Sequence, residues 1–243
     1  MGVPRIHCEF TLGPGAQFRL APEAAQHVAK ALRLKAGDAL TFFDGSGGEY
    51  DATIQRIDRD RVDVKLGAWR DVDREGVLSV GLVQGLPEAD KMDWIIQKAT
   101  ELGVGWVQPV ICERSVVRLS GERAARREAH WRRVAIAASE QCGRTRVPDV
   151  RPTLAFMAWI ALPDAPRRWL LDPGARSIAA QVPPPSPLEL LVGPEGGLSE
   201  RERELALARG CETVALGPRI LRTETVAVAA LAALQTLCGD FRG

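Results

Sequence analysis

The stretch Leu188–Leu198, "LELLVGPEGGL", runs directly into "SERERELALARG", and this junction restricts the possible folds more than any other part of the chain. Five mostly apolar residues have the length of a buried strand, and Gly193-Pro194-Glu195-Gly196-Gly197 ends it. Ser199, with Glu202 three residues on, then forms a capping box that starts a helix. Strand, glycine turn and helix in that order belong to an α/β sheet, where such turns meet ligands through backbone amides. Taken alone, the glycines also suit a tight turn that binds nothing.

A second junction of the same kind follows. Leu216–Thr225, "LGPRILRTET", is a strand end, a turn and a helix start, with Thr223 or Thr225 available to cap and Glu224 in the first turn, where the helix dipole favours negative charge. The helix behind it, Val226–Cys238, is apolar almost all round and must be buried, so the loop is rigidly held. Two such junctions close together in sequence can converge on one ligand. Arg219 and Arg222 are either part of that site or ordinary surface and capping arginines.

A third concentration lies in Glu113–Arg146, where nine arginines face four acidic residues in a chain of formal net charge +1. Clustered charge of this sort is a footprint of phosphate contacts, although a solvated helix face has the same composition. Trp131 within it could stack on a base, but its helical spacing with Val134, Ala135 and Ala138 favours core packing.

Upstream of about residue 74 the chain is a small β-rich module. "AQFRL" reads as a strand and "PEAAQHVAKALRL" as a helix opened by Pro22. "DALTFFDGSGGEYDATIQRI" reads as two strands around the turn Asp44–Gly48, and "RVDVKL" as another strand. "DGSGGE" lacks the Lys-Ser/Thr of a phosphate loop and the spacing of a dinucleotide fingerprint. Downstream, strands and helices alternate: "VLSVGLVQGL", "KMDWIIQKATELG" stopped by Gly103, "GWVQPVI", the arginine-rich helix Glu122–Cys142, "RRWLLD", "LELLVG" and "ETVAL". That rhythm argues a parallel sheet. The proline-rich "QVPPPSPLE" is a connector too short to divide it.

Five scattered cysteines with no CxxC pair argue against a disulfide framework and a zinc site, and point to a reducing compartment. The chain has no run of 18 apolar residues, and its N-terminal "MGVPRIHCEF" reads as neither a signal-peptide h-region nor a cleavage site, so membrane and export readings are not expected. Cys142 beside Arg144 and Arg146 is a conceivable reactive thiol, but structural burial is the better reading without a His or Asn partner.

Together, "HVAKALRLKAGD", "FDGSGGEY", "DKMDWIIQKATELGV", "PVICERSVV", "AIAASEQCGR", "LLVGPEGGLSERE" and "LGPRILRTETVAVAAL" resemble the RsmE family, the uridine N3 methyltransferases of 16S ribosomal RNA in the SPOUT class. The likeness spans nearly the whole chain, weakest from Pro152 to Pro187, where Leu171-Asp172-Pro173 stands in place of a frequent His-Pro. It implies an α/β fold: a PUA-like RNA-binding β-barrel over residues 1–73 and a SPOUT domain over 74–243 whose parallel sheet is tied in a C-terminal trefoil knot. It also implies a cytoplasmic homodimer that uses S-adenosylmethionine and no metal. The methyl acceptor would be N3 of a uridine in the decoding region of the assembled small subunit. The implied cofactor loops are Leu171 and Pro173; Val192, Gly193, Pro194, Glu195, Gly196 and Gly197; and Leu216, Gly217, Arg219, Ile220, Leu221, Thr223 and Thr225. By motif position Arg222 would stabilise charge and Glu224 orient the base or take its proton. Arg5, Arg33, Lys35, Lys91, Arg114 and Arg144 would touch RNA. A ribose 2′-O methyltransferase, a nicotinamide dehydrogenase and a non-enzymatic RNA-binding protein are the rival readings. The first two lack their expected motifs, and cofactor binding would separate the third.

Overall fold

A computed structural model of the chain describes residues 2–59, 61–88, 90–163, 166–181 and 187–242, so most of the proline-rich connector lies outside the described residues. The chain divides into two compact units. The first holds the residues up to Glu75 together with Ser139–Val147, and the second holds Gly76–Ala138 with everything from Pro148 on.

In the first unit, β1 (Arg5–His7), β2 (Gln17–Arg19), β3 (Ala39–Phe43), β4 (Glu49–Asp58) and β5 (Arg61–Arg70) form one sheet in the order β1-β3-β4-β5-β2. β1 runs parallel to β3, and the other pairs are antiparallel. The alternation in "RVDVKL" does what its period requires: Val62, Val64 and Leu66 are buried while Arg61 and Lys65 face out. They meet Leu40, Phe42 and Ile54 from the neighbouring strands and Val28 from the helical segment. That segment opens with Pro22 at the first helical position of α1 (Pro22–Gln26), where its missing N–H costs nothing, and then widens into a π-helical turn, His27–Ala31.

The "EQCGRTR" stretch also belongs to this unit. It folds around Glu75, whose carboxylate accepts the backbone N–H of Thr145 and Arg146 and binds the Arg144 guanidinium at 2.6 and 2.9 Å.

The second unit alternates as its sequence rhythm indicates. β6 (Val80–Gly85), α2 (Lys91–Glu101), β7 (Trp106–Ile111), α3 (Gly121–Cys142), the two-residue strands β8 (Asp149–Val150) and β9 (Leu154–Ala155), and α4 (Phe156–Ile160) come first. β10 (Arg167–Ser177), β11 (Leu188–Val192), α5 (Glu200–Ala208), β12 (Glu212–Ala215) and α6 (Thr223–Cys238) complete it. The last turn of α3, from Ser139, is counted with the first unit. The strands are all parallel, in the order β12-β10-β11-β6-β7-β8 with β9 also on β7. β6 and β11 are buried along their whole length, which explains their nearly unbroken apolar sequences. Trp131 is a core residue: it is buried, and its indole N–H donates to Asp93 at 3.1 Å. Cys142 is only half-buried, with its thiol 3.9 Å from the Ser139 carbonyl.

Glu189 is the one charged residue of β11, and it is buried against Arg168 (Nε to Oε2, 3.0 Å) and the Trp106 indole N–H (3.2 Å). The Arg168 guanidinium in turn stacks on Trp159 at 4.3 Å. Removing one member of such a pair strands the other charge in the core, a loss of about 3–5 kcal/mol. Arg168→Ala is therefore expected to lower the urea midpoint sharply when unfolding is followed by tryptophan fluorescence.

Candidate functional site

In a parallel sheet the carboxyl ends of the strands all open to one edge, and ligands bind there. β11 and β12 end in irregular loops at that edge, and β10 bulges out there. β11 stops at Val192, and the turn through Gly193–Gly197 is closed by a Gly197 N–H to Pro194 carbonyl bond of 2.8 Å, with Gly197 at φ 68°. Ser199 then caps α5 as its sequence indicates. Its hydroxyl accepts from the Glu202 N–H, and the Glu202 carboxylate accepts from the Ser199 N–H at 2.9 Å and from the Glu113 N–H at 2.8 Å. β10 runs past the expected "RRWLLD" to Ser177, but its register on β12 shifts between Leu171 and Arg176, so Asp172–Ala175 bulges out.

The three loops enclose a cleft of about 550 Å³, within the range of small-molecule sites. Leu171, Pro173, Val192, Gly193, Pro194, Glu195, Gly197, Leu216, Gly217, Arg219, Ile220, Leu221, Arg222, Thr223 and Glu224 all line it. Gly196 and Thr225 do not. Gly196 instead lies under Arg114, which donates to its carbonyl at 3.1 Å, and Thr225 is exposed on the first turn of α6. The wall also contains Leu170, Leu198, Val214 and Val226, so it is mainly apolar, with backbone groups and a few charges at its edge.

The sequence assigned Thr223 or Thr225 to cap α6, and the structure corrects this. Arg222 is the N-cap residue, with no side-chain cap bond, and Thr223 is the first helical residue. The Thr223 hydroxyl is committed elsewhere: it donates to the Gly193 carbonyl at 2.6 Å and accepts from Gln84 Nε2 at 2.9 Å. Gln84 on β6 is fully buried and also donates to the Gly85 carbonyl. Gly85 lets the loop cross this strand, since a Cβ there would lie 2.6 Å from both the ring and the nitrogen of Pro194. Gln84 and Gly85 were not among the candidate residues. The available signal was a lone amide in the apolar run "VLSVGLVQGL".

The charged groups divide into paired and unpaired. Lys91 donates to Glu195 at 2.6 Å, and Arg203 binds Asp172 at 2.8 Å. Burial pushes both carboxyl groups up. The bond from Lys91 and the Glu88 N–H outweigh it for Glu195, and the bond from Arg203 outweighs it for Asp172, so both sit below the ordinary carboxylate range. Lys91 is raised by its bond to Glu195. Lowered carboxylates stabilise above their unfolded pKa, so both contacts persist at neutral pH and are lost only as pH falls through the depressed values.

Arg219 and Arg222 are exposed at the cleft, and among the described residues no hydrogen bond or ion pair holds either guanidinium. Glu224 Oε2 is buried and likewise has no partner among the described residues. A desolvated carboxylate oxygen left unpaired is costly, and a ligand donor would satisfy it.

The residues assigned to RNA are scattered. Arg33 and Lys35 stand exposed in the loop before β3, Arg33 with a left-handed backbone at φ 55°. Arg144 is buried on Glu75, and Arg5 is half-buried on Glu49 and on the Arg144 carbonyl. Lys91 and Arg114 are engaged at the glycine loop. Among the described residues no group of three or more His, Cys, Asp and Glu side chains converges as a metal site would, and no helix is long and apolar enough to cross a membrane.

A family model described as an RNA methyltransferase domain matches residues 74–235, and one described as an RNA methyltransferase PUA domain matches 20–67. The chain is 32% identical over 237 residues to the Ribosomal RNA small subunit methyltransferase E of Bacillus subtilis, covering 93% of this chain and 92% of that protein. Among solved structures, the protein of that name from Neisseria gonorrhoeae, bound to S-adenosyl methionine, is 37% identical with a TM-score of 0.94 over 99% of this chain and 100% of that one. A Legionella pneumophila protein solved in complex with the bound cofactor SAM is 34% identical, with a TM-score of 0.93 over the same shares.

Thr223→Val keeps the size of the side chain but removes the hydroxyl between Gln84 and Gly193, leaving a buried amide donor and a carbonyl unpaired. The expected cost is about 1–3 kcal/mol, read as a lower denaturation midpoint with a native far-UV spectrum.

Proposed function

Since the chain belongs to the Ribosomal RNA small subunit methyltransferase E family, we propose that it transfers the methyl group of S-adenosylmethionine to N3 of a uridine in the decoding region of 16S ribosomal RNA, with the assembled small subunit as substrate. The observation that carries the reading is the three-loop cleft, in which an unpaired Glu224 oxygen and the unpaired Arg222 guanidinium share one wall at the start of α6. Family membership also supports a PUA-like barrel over about residues 1–73, a trefoil knot in the domain over 74–243, a homodimer and a cytoplasmic location.

The residues present suit that cofactor. Leu171, Val192, Leu216, Leu221 and Val226 offer apolar contact, and the glycine loops bring backbone donors and acceptors close where side chains would collide. When bound, S-adenosylmethionine supplies an activated methyl group on a sulfonium. The chain's own residues do the rest. Uridine N3 carries a proton that must leave for its lone pair to attack, and negative charge then spreads to O2 and O4. Arg222, with no partner among the described residues and at the positive end of α6, would stabilise that charge. Glu224 is placed to accept the N3 proton or to hold the base by its N–H. Packing in a confined cleft aligns the base, and alignment itself contributes substantially to the rate.

Arg222→Ala is expected to lower kcat about 100-fold or more while S-adenosylmethionine affinity by calorimetry stays near wild type. Unchanged turnover would remove its role. Glu224→Gln, which keeps an acceptor oxygen but loses the base, should likewise reduce turnover. Small subunits lacking the modification, treated with labelled cofactor and digested to nucleosides, should yield 3-methyluridine by mass spectrometry. A ribose-methylated product would overturn the N3 assignment.

A further inference from the structure

The three loops of the cleft are not held alike. The glycine loop and the start of α6 are tied together by the Thr223 hydroxyl, which lies between Gln84 and the Gly193 carbonyl. The bulge Asp172–Ala175 is held differently. Its strand pairs with β11 only as far as Leu170, and its register on β12 breaks between Leu171 and Arg176. A ladder interrupted on both sides leaves a segment that side chains must fix.

Pro173, Gly174 and Ala175 carry no polar side chain, so within the bulge that task falls to Asp172. Its Oδ1 accepts the Gly174 N–H at 3.2 Å and closes the bulge on itself. Its Oδ2 accepts from both Nε and Nη2 of Arg203, each at 2.8 Å. Arg203 is in turn well anchored. It follows Glu202 in the first turn of α5, and the Glu202 carboxylate is held by the N–H groups of Ser199 and Glu113. The ion pair therefore joins the bulge to the helix that begins where the glycine loop ends.

Leu171, Asp172, Pro173 and Arg203 all line the cleft, so the pair stands in its wall. The Arg203 side chain is 49% exposed and that of Asp172 19%. A pair so open to water adds little to the stability of the fold. Its place matters more than its strength. Releasing it frees the backbone on either side of Asp172, and a wall that must be ordered on binding costs a ligand affinity that a preformed wall does not.

We propose that Arg203 is a positioning residue for S-adenosylmethionine: acting through Asp172, it holds the bulge of β10 as a preformed wall of the cofactor cleft, and so governs cofactor affinity and not the methyl-transfer step. The proposal rests on the cofactor reading above and deepens it.

The test is a double-mutant cycle on cofactor binding. Wild type, Arg203→Gln, Asp172→Asn and the double variant are titrated with S-adenosylmethionine by calorimetry, at a temperature below every melting transition. Methyl transfer to small ribosomal subunits lacking the modification is measured beside it. Each single variant is expected to bind about three- to five-fold more weakly, and the double variant no more weakly than either, since both changes break the same contact. Arg203→Lys, which keeps the charge and loses the fork, should recover part of the affinity. The loss should appear in the KM for cofactor and not in kcat. Wild-type affinity in Arg203→Gln would overturn the proposal. So would effects that multiply in the double variant, which would make Arg203 a direct cofactor contact, or a loss carried by kcat. A lowered melting temperature with unchanged affinity would reduce the pair to a structural one and overturn it too. If wild type binds no S-adenosylmethionine, the cofactor reading itself fails and takes the proposal with it, a result distinct from each of these.

Discussion

The hydrogen-bond chain from Gln84 through Thr223 to Gly193 is the contact on which the geometry of the cleft depends. It joins the carboxyl end of β6, the first residue of α6 and the first residue of the glycine loop. Gln84 and Thr223 are buried, so their bonds count by what their loss would leave unpaired, and linked bonds are mutually reinforcing. Two of the three loops therefore cannot shift independently. Arg222 and Glu224 flank Thr223 in sequence, so the same bonds that fix Thr223 fix the residues assigned to chemistry.

This placement also accounts for the apolar character of α6. A helix whose first turn must stay fixed against a sheet edge needs a buried body, and Ala227, Ala230, Leu231 and Leu234 supply it. Gln235, buried near the other end, donates to the Leu102 carbonyl at the close of α2. Specific polar contacts therefore hold α6 near both ends, with the apolar contact between them.

Features written in local sequence were legible there: the capping box Ser199–Glu202, Pro22 at a helix start, alternation in β5, and glycine turns after apolar strands. The convergence of Leu171, Gly193–Gly197 and Leu216–Leu221 came from family resemblance, because no periodicity tells which strands become neighbours. What stayed illegible depends on partners distant in sequence. Thr223 looked like a cap because Thr at a helix start usually is one, and nothing nearby announced that Gln84, 139 positions away, would claim its hydroxyl. Arg5 and Arg144 looked like surface cations until Glu49 and Glu75 were seen beside them. The bulge at Asp172–Ala175 is a register effect between β10 and β12, and a single strand's sequence does not carry register.

The arginines show why residue count is a poor guide to nucleic-acid contact in this chain. With 32 basic and 31 acidic residues, many cations have an acidic partner, and burial decides which are spent. Arg168 and Arg144 are buried on carboxylates and serve structure; Lys91 and Arg203 are partly exposed and brace the mouth of the cleft. Only cations left exposed or over-supplied relative to their carboxylates can contribute a net field. By that criterion Arg33 and Lys35 in the first unit, and Arg219 and Arg222 in the second, all exposed and outside any ion pair among the described residues, are among the cations that can contribute. A polyanion responds to the local excess and not to the total, so a nearly neutral protein can bind one tightly provided that its excess is concentrated.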